Sequence, residues 1–401
     1  MNLIFITENF FPDVMGGSGR VVAETTKRLA AGGHNVHVVT RRIGDAAQRD
    51  SVNGAEVWRY SSASPVAQQL WSLRQTISAA TKETGFDVAV ICQPLPGIVA
   101  VHHPSLKSMP KTREFYGPWH DEYRVTKTVR DYRTHIDVQM GCLLRKWCDV
   151  HVLMRVDMIR VLSVYTARMV SDLCPRVGSR TRLIPGGVDT ERFAPATDKS
   201  SIRRKLGLPG SRRIIFTVRN LTARMGLDVL IDAMRHVADR MKDVLLIIGG
   251  EGPLRLPLED KIKGMNLEEN VVLRGRIPDD DLPAFYQGAD LFVLPTQDLE
   301  GFGLVTLEAM ACGLPVIATR QGGSVEILGA FGSDFLLDGM DSATMASRIC
   351  ELLNQPERMD ELGRKARATI LATYSWDRQV EQLQDLFREA IVNRHGNDRT
   401  R

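Results

Sequence analysis

Leu291-Phe292-Val293-Leu294-Pro295, followed after four residues by Glu300-Gly301-Phe302-Gly303-Leu304-Val305-Thr306-Leu307-Glu308, decides the fold. The first run is short, apolar and bounded by proline, as expected of a buried strand. Gly301 and Gly303 make poor helix, so the stretch reads as a loop that carries Glu300 and enters a helix near Leu304, with Glu308 in its second turn. The two carboxylates lie eight positions apart, with seven residues between them, which on a helix would leave them roughly 80° apart. They therefore serve different tasks. A strand, a glycine turn and a helix N-terminus gather free backbone N–H groups around an anion, which suits a phosphorylated ligand. An ordinary strand-to-helix turn with two solvated acids is the plain alternative.

The same rhythm runs through the chain. Leu3 to Ile6, the glycine loop Gly16-Gly17-Ser18-Gly19, an amphipathic helix from Val21 to Ala31 and the strand Val36 to Thr40 form a first unit of strand, loop, helix and strand. Further strands are expected at Val88–Cys92 and Val150–Leu153. The alternation restarts at Ile214–Val218 and continues through a helix over Leu227–Arg240, then Val244–Ile248, Val271–Leu273, Leu291–Leu294 and Pro315–Ala318. Between the halves, Pro185-Gly186-Gly187-Val188-Asp189 and the polar Pro195–Ser201 read as a linker. The fold class is α/β, with two Rossmann-like domains: residues 1–185 and residues 200–375. After Ser375, a good N-cap, Trp376, Val380, Leu383, Phe387 and Ile391 recur at helical spacing. This helix, 376–395, needs a surface to cover and is expected to return to the first domain.

Composition limits the functional classes. With 401 residues, 43% apolar and 25% charged, the chain is an ordinary globular protein of about two domains. It contains no apolar run of eighteen residues, and Met1 to Thr7 lacks a basic prefix, so the expected location is cytoplasmic. The six cysteines have no metal-like spacing and read as buried free thiols. Net charge is +4, distributed as +1 over residues 1–106, +6 over 107–192 and −3 over 193–401. Within 107–147, Lys107, Lys111, Arg113, Arg124, Lys127, Arg130, Arg133, Arg145 and Lys146 alternate with Phe115, Tyr116, Trp119, Tyr123 and Trp147. That mixture fits anionic lipid headgroups or an anionic acceptor, and equally a solvated face. No nucleic-acid reader motif is present.

Three loops are suited to a nucleotide: Gly16-Gly17, Gly249-Gly250-Glu251-Gly252-Pro253 and Gly301 to Gly303. None reproduces G-x-G-x-x-G, which argues against a dehydrogenase. In open parallel sheets ligands sit beyond the carboxyl ends of the strands, so two such domains are expected to face each other across a cleft.

The chain resembles glycosyltransferase family 4, retaining nucleotide-sugar-dependent enzymes of the GT-B architecture. The likeness runs nearly end to end. It takes in Phe11-Pro12 through Gly17, Gly32 to Val36, Tyr116-Gly117-Pro118-Trp119 through Tyr123, Ile184 through Phe193 and Gly249 through Pro253. It continues at Gly275, Ala289 through Pro295, Glu300 through Pro315, and Gly322-Gly323 to Glu326. The resemblance implies that Glu308 binds the ribose hydroxyls and Glu300 the sugar hydroxyls of the donor, tasks that suit acceptor-rich carboxylates. It implies a diphosphate held by backbone N–H groups near Phe302, Gly303 and Leu304 and by the Gly16-Gly17 loop. Gly250 and Arg274 belong to the implied donor pocket. The family's two basic residues after the first strand of the second domain are shifted by one position here, to Arg219 and Arg224. Where many relatives carry a histidine before Gly-Pro-Trp, this chain has Tyr116, a poor proton shuttle near neutral pH, with His102, His103 and His120 nearby.

The implied activity is transfer of a sugar from a nucleotide diphosphate to a glycan or lipid-linked acceptor in polysaccharide or glycolipid assembly, with retention and without metal or cofactor. Residues 1–185 would bind the acceptor and 200–375 the donor. The second reading is a nucleotide-sugar-binding subunit of low activity that supports a partner enzyme. An epimerase of the same architecture would not share the Glu300 to Pro315 pattern.

Overall fold

The computed structural model describes residues 1–14, 16–62, 65–127, 132–329, 331–332 and 335–398. The chain divides into two compact units, Met1–Gly186 with Trp376–Arg401, and Gly187–Ser375.

Unit 1 runs β1 (Asn2–Ile6), α1 (Gly17–Ala31), β2 (Asn35–Arg41), β3 (Arg49–Val52), β4 (Ala55–Tyr60), α2 (Val66–Glu83), β5 (Val88–Ile91), α3 (Pro94–His102), β6 (Lys111–Phe115), α4 (Trp119–Val125), α5 (Tyr132–Leu153), β7 (Met158–Val161), α6 (Val164–Leu173) and β8 (Thr181–Leu183). Its sheet has the order β3-β4-β2-β1-β5-β6-β7-β8, parallel except where β3 meets β4. Strand order reverses at β1, flanked by β2 and β5, which places a crevice beyond Ile6 and Ile91.

Unit 2 contains α7 (Lys199–Lys205), β9 (Arg213–Val218), α8 (Leu227–Arg240), β10 (Val244–Gly249), α9 (Arg255–Gly264), β11 (Val271–Gly275), α10 (Leu282–Gly288), β12 (Leu291–Leu294), α11 (Leu304–Ala311), β13 (Val316–Ala318), α12 (Ser324–Gly329), α13 (Ser342–Leu353) and α14 (Pro356–Thr373). Its parallel sheet, β11-β10-β9-β12-β13, reverses at β9. β12 is wholly buried, as its unbroken apolar sequence requires.

The last helix, α15 (Trp376–Asp398), belongs to unit 1. Val380, Leu383, Leu386, Phe387 and Ala390 pack with Leu3, Phe5, Val36, Val88 and Val90 in one buried cluster. Each large side chain in that stripe contributes roughly 1.5–3 kcal/mol by leaving water. The expected return of this helix is therefore what the structure shows.

Several local expectations are corrected. Val150–Leu153 ends α5 and is not a strand; the sheet takes Met158–Val161 instead. Lys111–Phe115, read as part of a basic stretch, is the fully buried strand β6. Its charges find partners inside: Lys111 Nζ donates to the Met109 carbonyl at 2.8 Å, Arg113 to the Glu114 carbonyl at 2.7 Å, and Glu114 accepts from Arg160 at 3.0 Å. Of the glycine loop 16–19 only Gly16 lies outside helix α1. The linker ends before α7, whose Arg203 is fixed to Asp290 at 2.6 Å within unit 2. All six cysteines are free and five are buried.

Candidate functional site

The residues that converge in unit 2 lie beyond β9 and β12, the two neighbouring strands at which the sheet order reverses. After β9 the chain enters Arg219 to Gly226; after β12 it enters Pro295 to Gly303. Arg219 Nη2 forms a short ion pair with Glu300 Oε2. Between them stands Thr296, fully buried, whose hydroxyl donates to Glu300 at 3.1 Å and accepts from Arg219 at 3.0 Å. The pair is held in one place by a third group rather than by chance contact.

Backbone packing fixes the same loops. Arg224 donates to the Leu299 carbonyl at 2.8 Å, and Leu299 has φ 53°, a conformation branched residues rarely adopt. The Arg224 carbonyl in turn accepts from Gln297 N–H at 2.8 Å. A Cβ at Gly226 would lie 2.0 Å from the Pro295 carbonyl oxygen, and one at Gly322 would lie 1.9 Å from that of Glu300. These glycines exist so that loop can lie on loop. Gly250 is used in the same way: a Cβ there would come 2.0 Å from the Arg219 carbonyl. It shapes the floor beneath Arg219.

Gly303, at φ 93°, turns the chain into α11, whose first N–H groups have no partner within the helix. Leu304 is the first residue of that helix and Phe302 is buried just before it. Glu308 is buried on α11 and accepts from Tyr286 Oη at 2.8 Å. Arg274 stands exposed on edge strand β11, two strands from β9, and takes no part in the Arg219–Thr296–Glu300 contacts. Asp279-Asp280-Asp281 forms a single turn before α10, where Asp279 pairs with Arg192 at 2.6 Å.

Unit 1 holds the remaining candidates. Gly16 has φ 147° and open space where a Cβ would be, at the entrance to α1, which begins at Gly17. Tyr116 packs against the core under α15, and burial raises its phenol well above the usual value, so it does not shuttle protons near neutrality. His103 is buried and bonded to Ser78 and to the Arg74 carbonyl, both at 3.1 Å, a packing role between α2 and α3. His102 lies 2.7 Å from His151 of α5. His120, on α4, lies 3.8 Å from Asp121 and has its pKa lowered by burial.

Four residues that the sequence alone did not single out belong to these sites. Thr296 and Tyr286 orient the two glutamates. At the unit 1 crevice, Gln93 Oε1 accepts from Thr7 Oγ1 at 2.9 Å and from Glu8 N–H at 2.7 Å. Burial raises the Glu8 carboxyl above the ordinary range, against the opposing pull of Arg41 and Arg113. A polar residue one or two positions past a buried strand is the available signal; both Thr296 and Gln93 fit it.

Residues 15–192 match the model of Glycosyltransferase Family 4, and residues 198–369 that of Glycosyl transferases group 1. D-inositol 3-phosphate glycosyltransferase of Corynebacterium glutamicum is 32% identical over 287 residues, 68% of this chain and 67% of that protein. The chain belongs to glycosyltransferase family 4. The GDP-mannose-dependent alpha-(1-6)-phosphatidylinositol monomannoside mannosyltransferase of Mycolicibacterium smegmatis is 34% identical over 238 residues. That match spans 57% of this chain and 62% of the relative's own length. Among solved structures, sucrose-phosphate synthase from Thermosynechococcus elongatus superposes with a TM-score of 0.80 at 22% identity, covering 98% of this chain and 99% of that one. WaaG, a glycosyltransferase involved in lipopolysaccharide biosynthesis, gives 0.76 at 18%, covering 96% and 99%. The family 4 fold thus accounts for both units.

Proposed function

We propose that this protein transfers a sugar from a nucleotide diphosphate donor to a glycan or lipid-linked acceptor, with retention of anomeric configuration and without a metal. The observation that carries the reading is the Arg219–Thr296–Glu300 cluster beyond β9 and β12. Unit 2 takes the donor: Glu308 receives the ribose, Glu300 the sugar hydroxyls, and Arg219, Arg224 and the first N–H groups of α11 the diphosphate. Unit 1 takes the acceptor. Glu300, paired with Arg219 and Thr296, is read as a ligand of the sugar and not as a nucleophile, and the leaving phosphate accepts the acceptor's proton while positive charge builds on the sugar. Catalysis is then positioning together with stabilisation of the departing charge. The relatives' names make GDP-mannose the first donor to test and inositol phospholipids the first acceptors, which supports a reading in which the protein works in glycolipid assembly at the inner face of a membrane.

Purified protein supplied with a panel of nucleotide sugars and lipid acceptors should transfer sugar, and chelation by EDTA should leave the rate unchanged. Arg224→Ala should lower the rate about 10²-fold, in line with other preorganised charge-stabilising donors. Binding of nucleotide sugars without turnover under all these conditions would instead support a partner-dependent binding subunit.

A further inference from the structure

Helix α5 carries two apolar faces. One is buried, through Val138, Cys148, Val152 and Leu153. The other is open: Ile136 is 43% exposed, Met140 61%, Leu143 60%, Leu144 61%, Trp147 54% and, just past the helix, Met154 45%. At 100° per residue these six fall within about 100° of arc, one continuous stripe. Large exposed apolar patches on a globular protein mark an interaction surface.

What surrounds the stripe narrows the partner. Helix α4 lies tightly against α5, since a Cβ at Gly141 would sit 2.7 Å from the Tyr123 ring. Arg145 fills the junction, 4.8 Å from the Trp119 ring and 3.6 Å from that of Tyr123. Trp119 and Tyr123 are therefore spent in packing, whereas Trp147, beside the His151 ring, stays open to solvent. Among the described residues of these helices and their flanks, the exposed cations Arg124, Lys127, Lys146 and Arg155 outnumber the exposed acids Glu122 and Asp137. Arg130 and the Arg133 side chain lie outside the described residues. A second copy of the chain would set these cations against their own kind. An anionic surface would not, and leucine, methionine and tryptophan beside lysine and arginine is the composition of a helix lying at a lipid interface.

We infer that the outer face of α5 docks on an anionic lipid bilayer, the apolar stripe entering the headgroup boundary and Lys146, Arg124 and Lys127 contacting the headgroups. The docking surface goes beyond the sugar-transfer reading and is measured without turnover, so either can fail alone. The full chain should sediment with vesicles of phosphatidylcholine and phosphatidylglycerol, and less with phosphatidylcholine alone. Trp147 emission should shift to the blue, a change absent from Trp147→Phe. Leu144→Glu combined with Trp147→Glu should weaken partitioning more than about tenfold, while leaving the thermal midpoint and nucleotide binding unchanged because both positions are exposed. Lys146→Gln should cost about fivefold on the anionic vesicles only. Absence of sedimentation with either vesicle overturns the proposal. So does a dimer in sedimentation velocity that Leu144→Glu dissociates, which would show that a second copy covers the stripe.

Discussion

Thr296 touches both charges of the Arg219–Glu300 pair through a single hydroxyl. Its two hydrogen bonds, at 3.0 Å to Arg219 and 3.1 Å to Glu300, set the distance and angle at which those groups meet. Valine has nearly the same shape without the hydroxyl. In Thr296→Val two buried polar groups lose a partner, which costs about 1–3 kcal/mol. On the proposed reading that partner orients groups that act on the sugar and the leaving phosphate, and kcat should then fall about tenfold or more. Nucleotide affinity, assigned in that reading to Glu308 and α11, should hold. Steady-state kinetics with a nucleotide-binding isotherm check the split; an unchanged kcat would refute a positioning role. Neither glutamate's orienting residue is visible in sequence, because Thr296 and Tyr286 are joined to them by folding and not by a motif.

At the scale of elements, the glycine-bearing loops are rigid contacts between neighbouring turns. The Gly226→Ala variant would need its methyl group 2.0 Å from the Pro295 carbonyl, in a backbone conformation, φ 66°, that already disfavours alanine. The loop must shift, and Arg224 and Thr296 shift with it. We expect a loss of about 1–3 kcal/mol in stability and weaker donor binding, measured by denaturant unfolding and by calorimetry. An alanine tolerated at full stability and affinity would contradict that packing. The same scale explains what the sequence conveyed. β1, β2, β5, β9, β10 and β12 are apolar runs, and buried parallel strands announce themselves that way. β6 does not, since Lys-Thr-Arg-Glu-Phe reads as surface until Arg160, the Met109 carbonyl and the Glu114 carbonyl are brought to its charges. Val150–Leu153 misleads in the opposite sense: a β-branched apolar run there completes a helix whose two apolar faces cancel any one-sided periodicity. The Glu300–Glu308 segment was legible because its glycines, strand and helix start are adjacent in the chain.

At the scale of the whole molecule, two sheets of independent topology each have a reversal point, and each unit presents its polar residues there. Unit 1 is completed by a helix that follows the whole of unit 2 in sequence. Removing residues 376–398 takes Val380, Leu383, Leu386, Phe387 and Ala390 out of its core cluster. Losses of this kind amount to several kcal/mol per large side chain, more than a typical domain can spare. The truncated protein should expose unit 1 to proteolysis while unit 2 stays resistant and keeps nucleotide affinity. Equal protection of both units would show that α15 is dispensable.

The late position of α15 also bears on synthesis. A ribosome makes unit 1 first yet cannot give it its final layer until the segments of unit 2 have all emerged. During that interval Leu3, Phe5, Val36 and Val90 lack their cover. For the whole passage of unit 2 the nascent chain carries that apolar surface without its native cover, and the half begun first reaches its finished state last.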